Sequence, residues 1–412
     1  MKIKQSMINI KRLMGRMMQM AEIGAIEGGG VCRLALTDED KISRDLFSEW
    51  MKEQGLEIKV DAIGNMVGLR TGQKNLPPVA IGSHLDTVAT GGKYDGSLGV
   101  LAGLEVIEIL NEQGIQTKHP IALINFTNEE GARFTPDMMG SLALSGAENI
   151  DTLLKARDLA NPGVILKDEL NRIGYHGEPW SKPFQAKAFI ELHIEQGPIL
   201  ENEGLQIGAV ERLQGIFWTE YVVTGSASHA GTTPMQLRKD AAYVASMVTR
   251  FIRNLTKEIG NGQVGTVGLV ELLPNAINVV AEQARFTVDL RNPDKGLLEK
   301  AQQKLDDYIH KISVEEGTSF VKKELVRFAP VNFDQGIADL IENTAVELGL
   351  GCKKMVSGAG HDAQMMASIC PTAMIFIPSK NGISHNVNEF SSEEDIEAGA
   401  NVLLNVVKQL AG

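Results

Sequence analysis

Cysteine is scarce in this chain. Its 412 residues include three, Cys32, Cys352 and Cys370, far apart and with no Cys-x-x-Cys spacing. An odd, scattered set argues against a disulfide framework and for a reduced, cytoplasmic setting. Positive charge is also short: 40 Lys and Arg face 52 Asp and Glu, a net charge of −12. That balance excludes nucleic acid and anionic membranes as natural partners. No run of 18 apolar residues occurs, so no segment is expected to span a membrane. Residues 1–20 are rich in methionine and isoleucine, yet lysines and arginines interrupt them, with no apolar targeting core or small-residue cleavage site. They read as an amphipathic first helix of the mature protein. Internal repeats, low-complexity tracts and long linkers are absent too. The rest is ordinary for a globular protein, with 43% hydrophobic and 22% charged residues. The length exceeds one common core and predicts two domains.

Strands and helices alternate through the first half. Asp38-Glu39-Asp40 opens a helix over 38–54, and runs at 56–60 and 66–69 suggest a hairpin. Val79-Ala80-Ile81 reads as a buried strand ending at His84, followed by a glycine-rich loop and a helix over 98–110. Strands at 121–126 and 188–192 end in Thr127-Asn128-Glu129-Glu130-Gly131 and His193-Ile194-Glu195-Gln196-Gly197-Pro198. This alternation predicts an α/β domain with a largely parallel sheet; residues 151–185 offer no clear pattern. Near 214 the style changes. Strands at 216–224, 264–272, 283–291 and 320–326 and helices at 238–259 and 297–314 give a β-α-β-β-α-β order, the ferredoxin-like split pattern. After about 330 the α/β style resumes, with a helix at 337–348, strands at 353–356 and 373–377 and a last helix from Glu393 towards Leu410. The small domain, 214–328, is therefore inserted into a larger one made of 1–213 and 329–412.

Candidate chemistry converges on one sheet edge. His84, Glu129-Glu130 and His193 lie at or just past the carboxyl ends of expected parallel strands, and His385 in the loop after another. In an open α/β sheet those ends form one rim, where ligands bind. Three imidazoles with the carboxylates of Asp95 and Glu130 are too many for one tetrahedral zinc with an open position. They suit two ions bridged by Asp95: His84, Asp95 and His193 on one, Asp95, Glu130 and His385 on the other. Asp86, two residues past His84, would orient that imidazole. Glu129 would be the general base. In the inserted domain, His229 can donate to an oxyanion, and Arg291, on the polar face of its strand beside Asn278, can grip a carboxylate bidentately. His119, His176 and His310 read as surface or packing residues. His361 opens a helix after glycines, where backbone N–H groups favour anions and the side chain can be purely structural.

Five stretches carry a resemblance: Gly82-Ser83-His84-Leu85-Asp86-Thr87, Asn128-Glu129-Glu130-Gly131-Ala132-Arg133-Phe134, Glu191-Leu192-His193-Ile194-Glu195-Gln196-Gly197-Pro198, Ser228-His229-Ala230-Gly231-Thr232-Thr233-Pro234-Met235 and Gly382-Ile383-Ser384-His385-Asn386. Together they resemble the M20-type dinuclear metallohydrolases. More narrowly they are similar to the amidase branch, the N-carbamoyl-L-amino-acid hydrolases, β-ureidopropionases and allantoate amidohydrolases, on the strength of His193 in its His-x-Glu-Gln-Gly setting. The resemblance implies a catalytic domain plus a lid that also forms a homodimer. It implies two divalent ions per subunit, zinc first, with manganese, cobalt or nickel compatible. It implies that His229, reaching across from the partner subunit, Asn278, Arg291 and Gln196 meet the substrate. The Gly358-Ala359-Gly360 loop would help hold the carboxylate and amide end of a small carbamoyl or ureido acid. The expected reaction is hydrolysis of the ureido C–N bond of an N-carbamoyl-L-amino acid. Allantoate and β-ureidopropionate are rival substrates, an aminopeptidase is the next reaction type, and a metal-free binding protein is the alternative from another class.

Overall fold

The computed structural model describes residues 7–412. Residues 1–6 of the expected first helix lie outside the described residues; the helix runs Ile10–Glu22, and the Asn9 side chain caps it by accepting from the Arg12 N–H. The described strands, in chain order, are β1 (Glu57–Val60), β2 (Met66–Arg70), β3 (Val79–His84), β4 (Ile121–Phe126), β5 (Ala188–Ile194), β6 (Ile207–Leu213), β7 (Gly215–Thr224), β8 (Ser228–His229), β9 (Val264–Leu273), β10 (Val279–Val280), β11 (Gln283–Asn292), β12 (Ser319–Phe328), β13 (Val331–Asn332), β14 (Cys352–Ser357) and β15 (Thr372–Ile377). Two compact units emerge, one ending at Glu211 and resuming at Asn332, the other Arg212–Val331.

The first unit is α/β, built on a nine-stranded sheet in the order β1-β2-β4-β3-β5-β15-β6-β13, with β14 beside β6. Its inner four strands, β4, β3, β5 and β15, are mutually parallel. Antiparallel β2 and β6 flank them. All four are buried along their whole length, which is why they read as near-continuous apolar runs. Helices Ser97–Glu112 and Glu393–Ala411 pack on these strands. The geometric consequence is simple: four adjacent parallel strands end on the same edge, so the segments that follow them are gathered together.

Two buried charges fix helices to this sheet. The Glu105 carboxylate, in helix Ser97–Glu112, accepts from the Asn9 N–H (2.8 Å) and from Arg12 Nε (2.7 Å) and Nη2 (2.8 Å), docking the first helix. Arg44, in helix Asp38–Glu53, donates to Asp40 Oδ2 (2.9 Å), the Gly64 carbonyl (2.7 Å) and Thr127 Oγ1 (3.3 Å). It thus ties that helix to the first residue past β4. Within the stretch where sequence pattern was silent lie short helices Ile150–Leu153 and Leu166–Ile173, and Arg133 ties Glu169 of the second to Asp158 in the segment before it, each at 2.8 Å.

The second unit has a four-stranded antiparallel sheet in the order β12-β7-β11-β9. Helices Ala241–Ile259 and Lys295–Glu316 complete the β-α-β-β-α-β order. The first of these starts three residues later than the sequence suggests, because Asp240 caps it by accepting from the Ala242 and Tyr243 N–H groups. On β11, Phe286, Val288 and Leu290 enter the core with Val244, Val248, Leu298 and Leu305. The alternate residues, Arg285, Thr287, Asp289 and Arg291, stay at least partly exposed. Period-two alternation thus separates packing from chemistry on one strand.

Arg44→Met should test the Arg44–Asp40 pair, whose side chains are both fully buried. Losing one partner strands a buried carboxylate, and the expected cost is about 3–5 kcal/mol. Urea unfolding followed by tryptophan fluorescence measures it; a loss below about 1 kcal/mol would show that the pair is dispensable.

Candidate metal centre

His84 ends β3 and is buried. Its Nδ1 lies 2.9 Å from the Asp86 carbonyl oxygen, so that nitrogen carries the proton and Nε2 offers a lone pair. The orienting group is therefore the main chain of Asp86 and not its carboxylate, as the sequence suggested. The reason is that β3 stops at His84, and side-chain alternation stops with it. The Asp86 carboxylate turns elsewhere: Oδ1 accepts from the Glu129 N–H (3.2 Å) and Oδ2 from the Glu130 N–H (3.3 Å).

Asp95 stands at the end of the loop after β3. Gly96 follows with φ +63, and a Cβ there would stand 2.4 Å from the His84 ring. Only glycine allows helix Ser97–Glu112 to begin so close to the imidazole. His193, on β5, repeats the arrangement of His84: its Nδ1 lies 2.9 Å from the Ile194 carbonyl oxygen. Its Nε2 accepts from the Gly96 N–H at 3.3 Å and lies 3.1 Å from Asp95 Oδ1. His84 Nε2 is 3.6 Å from the same oxygen. The other oxygen, Oδ2, is 3.5 Å from His385 Nε2, which in turn is 3.2 Å from Glu130 Oε2. Two triads result, His84–Asp95–His193 and Asp95–Glu130–His385, each with candidate ligand atoms within 4.8 Å of one another. They are the same two sets, sharing Asp95, that the sequence assigned to two ions. Glu129 is buried beside them, its Oε2 3.4 Å from His84 Nε2.

The donor set fits divalent cations. Imidazole lone pairs and carboxylate oxygens face one another at 3.1–3.6 Å, a repulsive arrangement unless a proton or a metal ion lies between them. Mixed nitrogen and oxygen donors suit zinc and its first-row neighbours. Without an ion, protons do this work. Burial alone would depress the His84 imidazole, but Glu129 and Asp95 hold it well above its usual range. Burial likewise opposes ionisation of Asp95, yet His193 and His84 keep its carboxyl well below the usual range. Glu129 and Glu130 are pushed well up, first by burial and then by neighbouring carboxylates.

A third grouping, Glu191, His193 and His361, also comes within 4.8 Å. Glu191 is already engaged, accepting from Ser83 Oγ (2.6 Å) and the Ala363 N–H (3.0 Å). His361 is buried edge-on against the His193 ring, centroids 4.5 Å apart, with Nε2 3.1 Å from Ser357 Oγ. Burial, then His193, hold it well below the usual imidazole range.

The remaining expected site residues divide between the units. In the first, Gln196 donates from Nε2 to Asp95 Oδ2 at 2.8 Å. Along Gly358-Ala359-Gly360, the Ala359 N–H is taken by Ser357 Oγ at 3.1 Å. In the second, His229 is exposed, and its Nδ1 accepts from the Gly231 (3.0 Å) and Thr232 (3.2 Å) N–H groups. Its Nε2 is therefore the protonated, donating nitrogen. The carbonyl of Asn278 accepts from the Ala230 N–H at 2.9 Å, across the β8–β10 ribbon. Arg291 is held by Asp289, with Nε 3.0 Å and Nη2 2.9 Å from its carboxylate. His119 Nδ1 lies 2.8 Å from the Pro77 carbonyl oxygen and His176 Nδ1 2.9 Å from that of Ala62, contacts in keeping with packing roles.

Sequence reasoning missed three residues. Ser384 Oγ lies 2.9 Å from Asp95 Oδ2; it sat unassigned inside a recognised stretch. Glu389 accepts from the Tyr94 and Asp95 N–H groups, and burial, then Asp95, push its carboxyl up to about 7. Its only sequence signal was an acid four residues past His385. Arg33, buried, donates to the Leu85, Met20 and Ile23 carbonyls and to Ser97 Oγ, bracing the segments on either side of the loop. No sequence feature marked it.

Gly96→Ala should drive a methyl group into the His84 ring. We expect at least about a 10-fold loss of divalent-ion affinity, the scale of disturbed ligand orientation, with little change in circular dichroism. A cobalt titration with unchanged affinity would show that the close approach is not needed.

A model of peptidase family M20/M25/M40 matches residues 80–409. The chain is 41% identical over 405 residues to an N-carbamoyl-L-amino-acid amidohydrolase of Rhizobium meliloti, with 98% of this chain and 97% of that one covered. It is 34% identical over 397 residues to an allantoate amidohydrolase of Bacillus subtilis (strain 168), covering 95% of each. The solved structure of an amidase of the hydantoinase/carbamoylase family from Burkholderia multivorans superposes with a TM-score of 0.96 at 42% identity, over 98% of both chains. These matches run through every loop on the rim described above, and the chain belongs to peptidase family M20/M25/M40.

Proposed function

We propose that this protein hydrolyses the ureido C–N bond of N-carbamoyl-L-amino acids, giving the amino acid, ammonia and carbon dioxide. The observation that carries the reading is Asp95, a buried carboxylate whose two oxygens face two different ligand sets. The relative of Rhizobium meliloti supplies the substrate class. His84, Asp95 and His193 would hold one divalent ion, and Asp95, Glu130 and His385 the other; zinc is the first choice, with manganese, cobalt and nickel compatible. Such ions, when bound, would supply Lewis-acid polarisation of the scissile carbonyl and acidify the attacking water.

The chain's own groups then have distinct tasks. Glu129 takes a proton from the attacking water and delivers it to the leaving nitrogen, a task its buried place beside the two ligand sets suits. Asp86 holds Glu129 and Glu130 through their N–H groups. His229, already the Nε2–H tautomer, donates to the developing oxyanion. Arg291 binds the substrate carboxylate, with Asp289 setting the plane of its guanidinium. Asn278, Gln196 and the 358–360 loop bind the rest of the substrate. Residues 214–328 act as a lid and as the dimer contact of a homodimer, with His229 supplied from one subunit to the other. The cytoplasm is the proposed location, supported by three free cysteines. No helix among the described residues is long and apolar enough to cross a membrane.

Allantoate hydrolysis is the second reading, favoured by the relative of Bacillus subtilis. Allantoate also joins a ureido group to a carboxylate, so the same residues serve it. Assay of metal-loaded protein against N-carbamoyl-L-amino acids, allantoate, β-ureidopropionate and dipeptides separates the readings. Cleavage of dipeptides alone would overturn both ureido readings. Glu129→Gln should keep two ions per chain and lose at least about 100-fold in kcat; near-normal turnover would remove Glu129 as the base. Arg291→Lys and Arg291→Ala should both lower kcat/KM by at least about 100-fold, as expected for loss of a bidentate charged contact. Wild-type kinetics in Arg291→Ala would remove the acid-substrate argument.

A further inference from the structure

Glu389 belongs to neither metal-capable triad, and the reaction above gives it no task. It is nonetheless 5% exposed and fully engaged. Its Oε1 accepts from the Tyr94 N–H (3.0 Å) and the Asp95 N–H (3.1 Å). Its Oε2 accepts from Ser384 Oγ at 3.0 Å, and that hydroxyl also lies 2.9 Å from Asp95 Oδ2. The fit is tight from below: a Cβ on Gly92 would stand 2.0 Å from Glu389 Oε1 and 2.2 Å from its Cδ.

The sheet explains why such a contact matters. Asp95 follows β3 and His385 follows β15, and these strands are not neighbours, because β5 lies between them. Among the described residues, no strand ladder joins the two loops. His84 and His193 differ in this respect. They sit on adjacent parallel strands, each with Nδ1 fixed by a carbonyl of its own segment. Glu389 instead bridges the Tyr94–Asp95 backbone to the 384–389 loop, alongside the contact of Ser384 Oγ with the Asp95 carboxylate.

We propose that Glu389 is a positioning residue for the second ion: by fastening the Asp95 loop to the His385 loop, it sets the separation of two of the three residues in the Asp95–Glu130–His385 triad. The inference rests on the two-ion reading. It says that the two sites depend on different supports. Removing Glu389 should therefore weaken the second ion and spare the first, whose ligands are held by β3, β5 and the helix start at Gly96.

Cobalt titration of metal-stripped protein, by calorimetry with elemental analysis of the product, reads both sites. For Glu389→Ala we expect the first ion within about 3-fold of wild type and the second weakened by at least about 10-fold, the scale seen when a group behind a metal ligand is removed. Glu389→Gln should largely restore the second ion. Its amide oxygen can still accept the two N–H bonds, and its NH2 can donate to Ser384 Oγ while that hydroxyl donates to Asp95. Gly92→Ala leaves the carboxylate's chemistry intact but displaces it, so it should reproduce the Glu389→Ala pattern, and it serves if Glu389→Ala does not fold. The proposal is overturned if Glu389→Ala or Gly92→Ala binds the second ion as wild type does, if both ions weaken equally, or if Glu389→Gln is as impaired as Glu389→Ala. The two-ion reading fails separately, and takes the proposal with it, if the wild-type protein itself takes up a single ion.

Discussion

A buried carboxylate that must stay ionised is the constraint on which the rest of this site depends. Removing a carboxylate from water costs several kcal/mol even after the protein relaxes, of order several per ion. Asp95 is 5% exposed, yet its neighbours keep it charged. Each of its oxygens has its own company. Oδ1 faces His84 and His193, while Oδ2 accepts from Gln196 Nε2, lies 2.9 Å from Ser384 Oγ and faces His385. Its own backbone N–H is tied to Glu389. Helix Ser97–Glu112 starts two residues later, and Glu105 on that helix holds the first helix of the chain. A line of contacts thus runs from the Asp95 carboxylate into the packing of the unit.

Backbone conformation pays part of the cost of this geometry. Asn128, Gln196 and His385 all have left-handed φ values, +54, +56 and +54, although none is glycine. Such residues store strain of order 1–3 kcal/mol each and persist only where their surroundings fix them. Asn128 and Gln196 occupy equivalent places, each the second residue past a parallel strand, β4 or β5. There the reversal turns the chain back over the rim instead of away from it. The surroundings supply the restraint. Asn128 Nδ2 donates to the Phe134 (2.8 Å) and Pro136 (3.2 Å) carbonyls, and the Gln196 N–H donates to Ser379 Oγ at 3.0 Å. Strain at the rim is thereby matched to hydrogen bonds that only the folded unit can make.

What could be read from sequence follows the range of the forces involved. Apolar periodicity is local, so β3, β4, β5, β15 and the alternation on β11 were legible within a residue or two, and with them the parallel core of the sheet. The meeting of His84, Asp95, Glu130, His193 and His385 was legible because parallel strands share an edge, a rule that needs no coordinates. The role of Asp86 was legible in kind and misplaced in atom, since alternation gives the direction of a side chain only while the strand lasts. Glu389 and Arg33 were not legible. Each acts through hydrogen bonds across large sequence separations, to Tyr94 and Asp95 in one case and to Leu85 and Ser97 in the other. Nothing in a local pattern encodes such partners. The helix Met139–Ser145 was missed for a related reason: seven residues, four of them Met, Leu or Ala, are too few to show a helical period.

The same misplacement of Asp86 resolves how two adjacent glutamates can differ in role. Neighbouring side chains leave the backbone in different directions, and holding the peptide between them fixes where each one points. Asp86 supplies the hold, one carboxylate oxygen to each N–H. Glu129 then points to His84, at 3.4 Å, and Glu130 to His385, at 3.2 Å. Had the Asp86 carboxylate gone to His84 instead, the imidazole would gain a charged partner and the 128–130 turn would lose its two acceptors. Using the carbonyl for the ring leaves the carboxylate for the turn. One residue therefore serves two jobs with different groups: its carbonyl fixes the tautomer of His84, and its carboxylate holds the turn from which Glu129 points to His84 and Glu130 to His385.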